Sequence, residues 1–376
     1  MVLSCRNDPK TRDNSVWLAR YSIENVEVSA DRRHTSHRKF LIVLPVHNGG
    51  AYLKACIASI LAQTHEHFRL IVLENASTDD TPNWLRRLRD PRISVRESTE
   101  LLEIEKSWAR ILQLDFSEEF LTIIGHDDLL DPAYLSQMSA LIDAHPDAGL
   151  YQSHFRLIDK HGRRMRSCLP MPTRETARGF LAARLRLRRD SQGTGYMFRA
   201  SDYVRVGGIR PYKKLIFADD ALWLDLMRDS YMATLACEAF SYRLHPGGTS
   251  HAPDWRSTLD ALGCYLDFLK SYGESDRGVQ SALHEGMADY MIFWFRWAYL
   301  SAGRIRSERP EIMHAIESLS VKAGEIDQSL RLPPFRERVR AALRDRLPRW
   351  RWFFWQVDRY LRIRLQSMLQ TPMRER

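Results

Sequence analysis

The chain has 376 residues, 44% hydrophobic and 27% charged, the composition of a globular protein long enough to bury the cores of two domains. No apolar run approaches the roughly 20 residues needed to cross a bilayer, and the N-terminus carries charges where a secretory leader needs its apolar centre. The expected setting is therefore cytoplasmic. The five cysteines are odd in number, scattered and without a C-x-x-C pair, which argues against a disulfide framework or a zinc knuckle. The formal charge of +9 is uneven, because residues 331–376 hold thirteen Arg against Glu337, Asp345, Asp358 and Glu375, enough for the whole excess.

Residues 1–38 are polar and broken in pattern and read as a loose arm. Residues 40–46 are a continuous apolar run of the buried-strand type, closed by the turn signal His47-Asn-Gly-Gly50. Tyr52, Leu53, Cys56, Ile57, Ile60 and Leu61 then recur at helical spacing. A second strand over 69–73 ends in Glu74, Asn75, Ser77, Asp79 and Asp80, and a helix follows over 82–88. A short strand over 93–96, a helix over 103–114 and a strand over 120–124 complete the alternation, which implies a parallel sheet with helical crossovers. Residues 149–158 alternate like a strand with one wet face, and 173–190 read as Arg-rich helix. Residues 193–198 and 206–211 read as turn and strand. Residues 217–227 open with acid and continue as an amphipathic helix, 242–250 form a polar loop, and from about 255 the pattern is helical.

The strand over 121–124 runs straight into Asp127 and Asp128. Ligands of open α/β sheets sit outside the carboxyl ends of the strands, so acid placed there suits a metal and a phosphate. The plainer reading is that these carboxylates cap the next helix, and for Asp131 before Pro132 the cap is the expectation. His65-Glu-His67 has the spacing of a metal pair but lies in a polar connection, where it is expected to bind nothing.

Six stretches carry a family likeness when taken together and in order: Pro45-Val-His-Asn48; Ser59 with Gln63-Thr64; Glu74 through Thr81; His126-Asp-Asp128; Asp219-Asp220 before Leu222-Trp223; and Tyr242-Arg-Leu-His245. Over residues 39–251 the chain resembles the family-two glycosyltransferases. The resemblance implies a GT-A fold, a mostly parallel sheet with helices on both faces, over 39–254, followed by a helical C-terminal region over 255–376. It also implies inverting transfer of a sugar from a nucleotide diphosphate, with a UDP-sugar foremost, assisted by Mn²⁺ or Mg²⁺.

The resemblance assigns the base to Asp219, with Asp220 next, and the nucleotide-sugar contacts to Pro45, His47, Asn48, Glu74, Asn75, Asp79, His126 and Arg243. The metal falls to Asp127, Asp128 and His245. The chemistry is consistent with this. A departing nucleotide diphosphate develops charge that a divalent cation stabilises, and an attacking hydroxyl needs a carboxylate to take its proton. Imidazole among the ligands would favour Mn²⁺ over Mg²⁺. Asp219 and Asp220 read equally as an N-cap, Asp79 and Asp80 as caps of the helix at Pro82, and Arg243 as a solvated charge. The family's metal motif is Asp-x-Asp, and this chain has Gly125 in the first position. Glu74 stands where Asp is usual, and His47 where Tyr is common.

The C-terminal end interleaves Arg with aromatics, as in Arg349-Trp-Arg-Trp-Phe-Phe-Trp355. No nucleic-acid module surrounds it, so nucleic acid is not the expected partner. An interfacial helix on anionic lipid and a helix packed on the catalytic domain both account for the pattern. The expectation is an enzyme building cell-surface polysaccharide on a glycan or lipid-linked acceptor, peripheral on the cytoplasmic membrane face. A catalytically silent nucleotide-sugar-binding or scaffolding protein of the same fold is the alternative.

Overall fold

The computed structural model describes residues 38–245, 248, 254–302, 308–328 and 330. The expected N-terminal arm, Arg38 apart, and the basic aromatic end lie outside the described residues. Strand β1 (Phe40–Val46) is buried along its whole length and pairs in parallel with β2 (Phe68–Glu74) and β4 (Phe120–Ile123), while β2 pairs in parallel with β3 (Ile93–Glu97). The Val, Ile and Leu runs read from the sequence form this parallel block, as expected of strands covered on both faces.

Beyond β4 the sheet changes character. Strand β5 is Leu129–Leu130, β6 Leu150–Ile158, β7 Arg164–Ser167, β8 Arg174–Glu175, β9 Tyr196–Arg199 and β10 Met232–Arg243. The order is β3-β2-β1-β4-β9-β6-β10-β5, with β7 on β6 and β8 on β10. β6 and β10 are parallel, but β9 is antiparallel to both β4 and β6. That inserted strand, and the small antiparallel β5, go beyond the expected pattern. β10 also takes Tyr242 and Arg243 out of the expected loop, and residues 206–211 are turn without strand. The Arg-rich segment begins as β8 and is helical only over Ala177–Leu185. β6 was expected to keep one wet face, but it is buried almost throughout because Leu150 enters one core and Tyr151, Phe155 and Leu157 the other.

Helices α1 (Gly50–Leu61), α2 (Thr81–Arg87), α3 (Ile104–Ala109), α4 (Tyr134–Ala144), α5 (Ala177–Leu185), α6 (Ala200–Arg205) and α7 (Ala218–Leu226) precede the long α8 (Trp255–Ser275), α9 (Arg277–Ala302) and α10 (Arg309–Ile326). The period of two in β1 divides the core. Phe40, Ile42, Leu44 and Val46 join Leu53, Cys56, Ile57 and Met138 on one face. Leu41 and Val43 join Ile71, Leu121, Phe180, Trp223, Leu266, Tyr290 and Ile316 on the other. The three C-terminal helices therefore share a continuous core with the sheet domain. Each fully buried large apolar side chain contributes about 1.5–3 kcal/mol, against about 0–1 kcal/mol for an exposed pair such as Arg86 with Glu97. The core outweighs the surface charges.

Candidate active site

The loop ends of β1 and β2 hold one another. The Glu74 carboxylate, 2% exposed, accepts from the backbone N–H of Ser77 at 2.6 Å and of Ala76 at 3.1 Å, so it folds its own loop. Asn75 exchanges two bonds with the Leu102 backbone and fixes the segment after β3. Asn48, at φ 52°, accepts from the N–H of Thr78 at 2.8 Å, and its own N–H donates to Ser77 Oγ at 2.8 Å. Asp79 accepts from the N–H of Thr81 at 2.9 Å and of Gly50 at 3.2 Å, which joins the two loops. His47 Nδ1 lies 3.0 Å from the Asn75 carbonyl. Pro45 is a buried strand residue opposite Leu73 and lines no opening. Of the expected nucleotide contacts, His47 and Asn48 face outward, whereas Glu74 and Asn75 are spent on building the loop.

Asp127 and His245 meet at the end of β4. His245 Nε2 is 2.8 Å from Asp127 Oδ2, and both side chains keep some exposure, 12% and 21%. Tyr52 packs against the His245 ring at 4.9 Å and carries the Arg243 guanidinium 4.7 Å above its own ring. Half-buried His126 feels the charges of Asp127, His245, His47 and Asp79, and burial holds its imidazole below the ordinary range. These five residues form one polar cluster at the sheet edge.

Two expected site residues serve elsewhere. Asp128 is 1% exposed, and its oxygens accept from Thr194 Oγ1 at 2.7 Å and from the Arg243 N–H at 3.0 Å. Burial, and then the neighbouring Asp127 charge, push its carboxyl well up. It ties the 125–128 turn to Thr194 and to the end of β10. Arg243, expected on phosphate, donates through Nε to the Asp127 carbonyl at 2.7 Å and through Nη1 to the Asp159 carbonyl at 3.2 Å. Arg243 latches β10 over the acidic loop. Asp131, read as a helix cap, pairs with Arg156, and α4 begins at Tyr134 without a side-chain cap. His65 Nε2 bonds the Arg38 carbonyl at 2.8 Å, so the His65 and His67 pair serves packing.

Gly125 explains the loop. A Cβ there would lie 2.7 Å from Asp127 Oδ1 and 2.9 Å from Asp128 Oδ2. The carboxylates fold back over the space that the absent side chain leaves. Among the described residues no group of three His, Cys, Asp or Glu side chains could hold a metal. Asp127 and His245 offer one carboxylate and one imidazole 2.8 Å apart and partly exposed, so these two residues would be the ones to hold a divalent cation.

Asp219 and Asp220 open α7, where the helix N-terminus favours negative charge. Phe217 immediately before it sits at φ 62°, with Lys214 and Leu215 also in the left-handed region, a concentration of strain typical of functional sites. Phe217 is held by stacking on Tyr265 at 5.4 Å and by the edge of Trp294 at 4.9 Å. Asp219 is half-buried and lies against Gly193, where a Cβ would be 3.7 Å from the Asp219 Cβ and 3.9 Å from the Trp108 ring. Burial, then the Asp220 charge, push its carboxyl up to about 7. Asp220 is wholly buried and ion-paired to Arg184. The loop over 193–195 thus touches Asp219 at one residue and Asp128 at the next. Sequence reasoning did not single out Thr194, Tyr52 or Arg184; Thr194 stood between two turn glycines, and nothing local marked the other two.

Residues 41–203 match the sequence pattern of glycosyl transferase family 2. The uncharacterized protein y4gI of Sinorhizobium fredii is 32% identical over 126 residues, covering 31% of this chain and 13% of that protein. The O-antigen biosynthesis protein RfbC of Myxococcus xanthus is 26% identical over 167 residues, covering 42% of this chain and 13% of that protein. The aligned part thus spans 13% of the length of each of these curated relatives. In fold, the chain is similar to S. aureus TarS 1–349 in complex with UDP-GlcNAc, with TM-score 0.61 and 14% identity, covering 77% of this chain and 83% of that one. The fold is GT-A.

Proposed function

We propose that the protein is an inverting glycosyltransferase that moves a sugar from a nucleotide diphosphate sugar, a UDP-sugar foremost, to a glycan or lipid-linked acceptor of cell-surface polysaccharide. The observation that carries this reading is the placement of Asp219, raised by burial and by Asp220, one loop residue away from the strut that holds the Asp127 and His245 pair. The UDP-GlcNAc in the TarS complex and the O-antigen role in the name of RfbC support the substrate class.

In this mechanism Asp219, ionised, accepts the proton of the acceptor hydroxyl as that oxygen bonds to the anomeric carbon and the bond to the diphosphate breaks from the opposite face. His47, Asn48 and the amides around Asp79 border the nucleotide end. A divalent cation held by Asp127 and His245 would supply charge stabilisation to the departing diphosphate. The helix N-terminus at Asp219 favours its ionised form.

The test is nucleotide release from a panel of UDP-, dTDP- and GDP-sugars with Mn²⁺ and acceptors. Release that is lost in Asp219→Asn supports the reading. The engagement of Glu74, Arg243 and Asp128 within the protein, with Gly125 in the motif, favours a silent binder as the second reading, and donor-induced thermal stabilisation without turnover would establish it. Among the described residues no helix is long and apolar enough to cross a membrane. Peripheral attachment on the cytoplasmic face through 331–376 is proposed from sequence, and loss of co-sedimentation with anionic vesicles on removing 334–376 would test it.

A further inference from the structure

The ground beneath the candidate base is built from charge. Asp220 is wholly buried, and its Oδ2 receives both Nε and Nη2 of Arg184, at 2.8 and 2.6 Å. Arg184 stands in the last turn of α5, and its Nη1 donates at 2.9 Å to the carbonyl of Arg189, on the segment that leads to Gly193 beside Asp219. One guanidinium therefore grips both the helix that carries Asp219 and the loop that faces it. Asp220 Oδ1 has no partner among the described residues. Such a pair is hard to explain as a stabilising feature alone, because burying an ion pair gains little over packed apolar side chains.

We propose that Arg184 and Asp220 are a positioning pair for Asp219, fixing the opening of α7 against the 189–193 segment and governing when the neighbouring carboxyl gives up its proton. The proposal rests on Asp219 as the base. The charged and titratable groups around Asp219 and this pair come from every packed element: Asp220 on α7, Arg184 on α5, Tyr196 on β9, Tyr265 on α8 and Tyr290 on α9, with all three phenols held neutral by burial. Arg189 is a further cation, set against Glu175 at 3.2 Å. Among these, burial acts on Asp219 first, then the Asp220 charge upward, then Arg184 downward. With the Asp220 charge acting upward and Arg184 downward, the pair is expected to hold the ionisation midpoint of Asp219 up, and deleting it as a unit is expected to lower that midpoint. Deleting Asp220 alone must lower it further, because Arg184 then acts unopposed.

Two readouts test this. The first is the acid limb of kcat/KM with whichever donor of the panel turns over. The second needs no substrate: the infrared band of a protonated carboxyl is followed against pH, each protein being subtracted from its own Asp219→Asn counterpart. The expected order of midpoints is wild type highest, the neutral double variant Arg184→Gln/Asp220→Asn lower, and Asp220→Asn lowest. The double variant removes both charges together and leaves no unpaired buried ion, so it reports even if Asp220→Asn fails to fold. Arg184→Lys keeps the charge but loses the fork, and should retain the midpoint while lowering kcat.

A double variant with the wild-type midpoint and the wild-type kcat overturns the proposal. Full turnover in Asp219→Asn would instead overturn the base assignment, and the infrared midpoints would still decide the pair.

Discussion

An alanine at position 125 should destabilise the protein and loosen the Asp127–His245 contact together. Its Cβ would lie 2.7 Å from Asp127 Oδ1 and 2.9 Å from Asp128 Oδ2, roughly half an ångström inside normal contact. Asp128 cannot yield, because Thr194 and the Arg243 N–H hold it on both oxygens. Asp127 can yield, but only by pushing on His245. Overpacking of this kind costs about 1–3 kcal/mol, or a fall in Tm of about 2–4 °C per kcal/mol for a chain of 150–250 residues and less for a longer one. Urea unfolding of wild type and Gly125→Ala measures the cost directly, and nucleotide-sugar release with Mn²⁺ measures the effect on the pair. Gly125→Asp, which rewrites the family motif in full, should lose more stability than Gly125→Ala. If Gly125→Ala unfolds within about 0.5 kcal/mol of wild type, the carboxylates are not packed over that position and the account of the loop is wrong.

Thr194→Val should cost about 1–3 kcal/mol by leaving Asp128 Oδ2 buried and short of a donor, which chemical denaturation would detect. Asp254 caps α8 by accepting from the Ser257 N–H at 2.8 Å, so Asp254→Ala should lose about 1 kcal/mol, with no change in m-value. Phe217→Ala should cost about 3–5 kcal/mol and depress turnover as well, because the stacking on Tyr265 also fixes the residue before Asp219. Raised to about 7, Asp219 must be ionised to act, so kcat/KM should fall about tenfold per pH unit below that point. For stability the sign is opposite. A raised carboxyl supports the fold while protonated and loses that support as pH rises from about 4 through about 7. Asp219→Asn should therefore match wild type near pH 4 and exceed it in Tm at pH 8.

The parallel block was legible because its strands are buried on both faces and written as unbroken apolar runs, as in residues 40–46 and 69–73. A strand was expected within 193–198 and β9 lies there, but its antiparallel insertion was not legible, because four residues carry no statement of which neighbours they enter and β4 and β6 decide it. The helical character of 255–326 could be read from periodicity, but its union with the sheet core could not, since an apolar stripe does not name its partner. The same limit applied at the site. Asp127 and His245 were expected together and lie together. Asp128 and Arg243 were placed on metal and phosphate because their bonds to Thr194 and to one another span 66 and 115 residues, distances over which no local pattern speaks.

The family match stops at residue 203, whereas Asp219 and His245 lie past it. A seam therefore runs through the site, with the loops of Asn48, Asp79 and Asp127 on one side and α7, the end of β10 and the aromatic seat of Phe217 on the other. The two sides are not separate in architecture, since the Arg243 N–H donates to Asp128 across the seam. Hybrids joined near 203 would exchange the segment carrying α7 and the end of β10 against retained loops of Asn48, Asp79 and Asp127. They would succeed only where the incoming segment brings its own clasp and its own helices to hold the base.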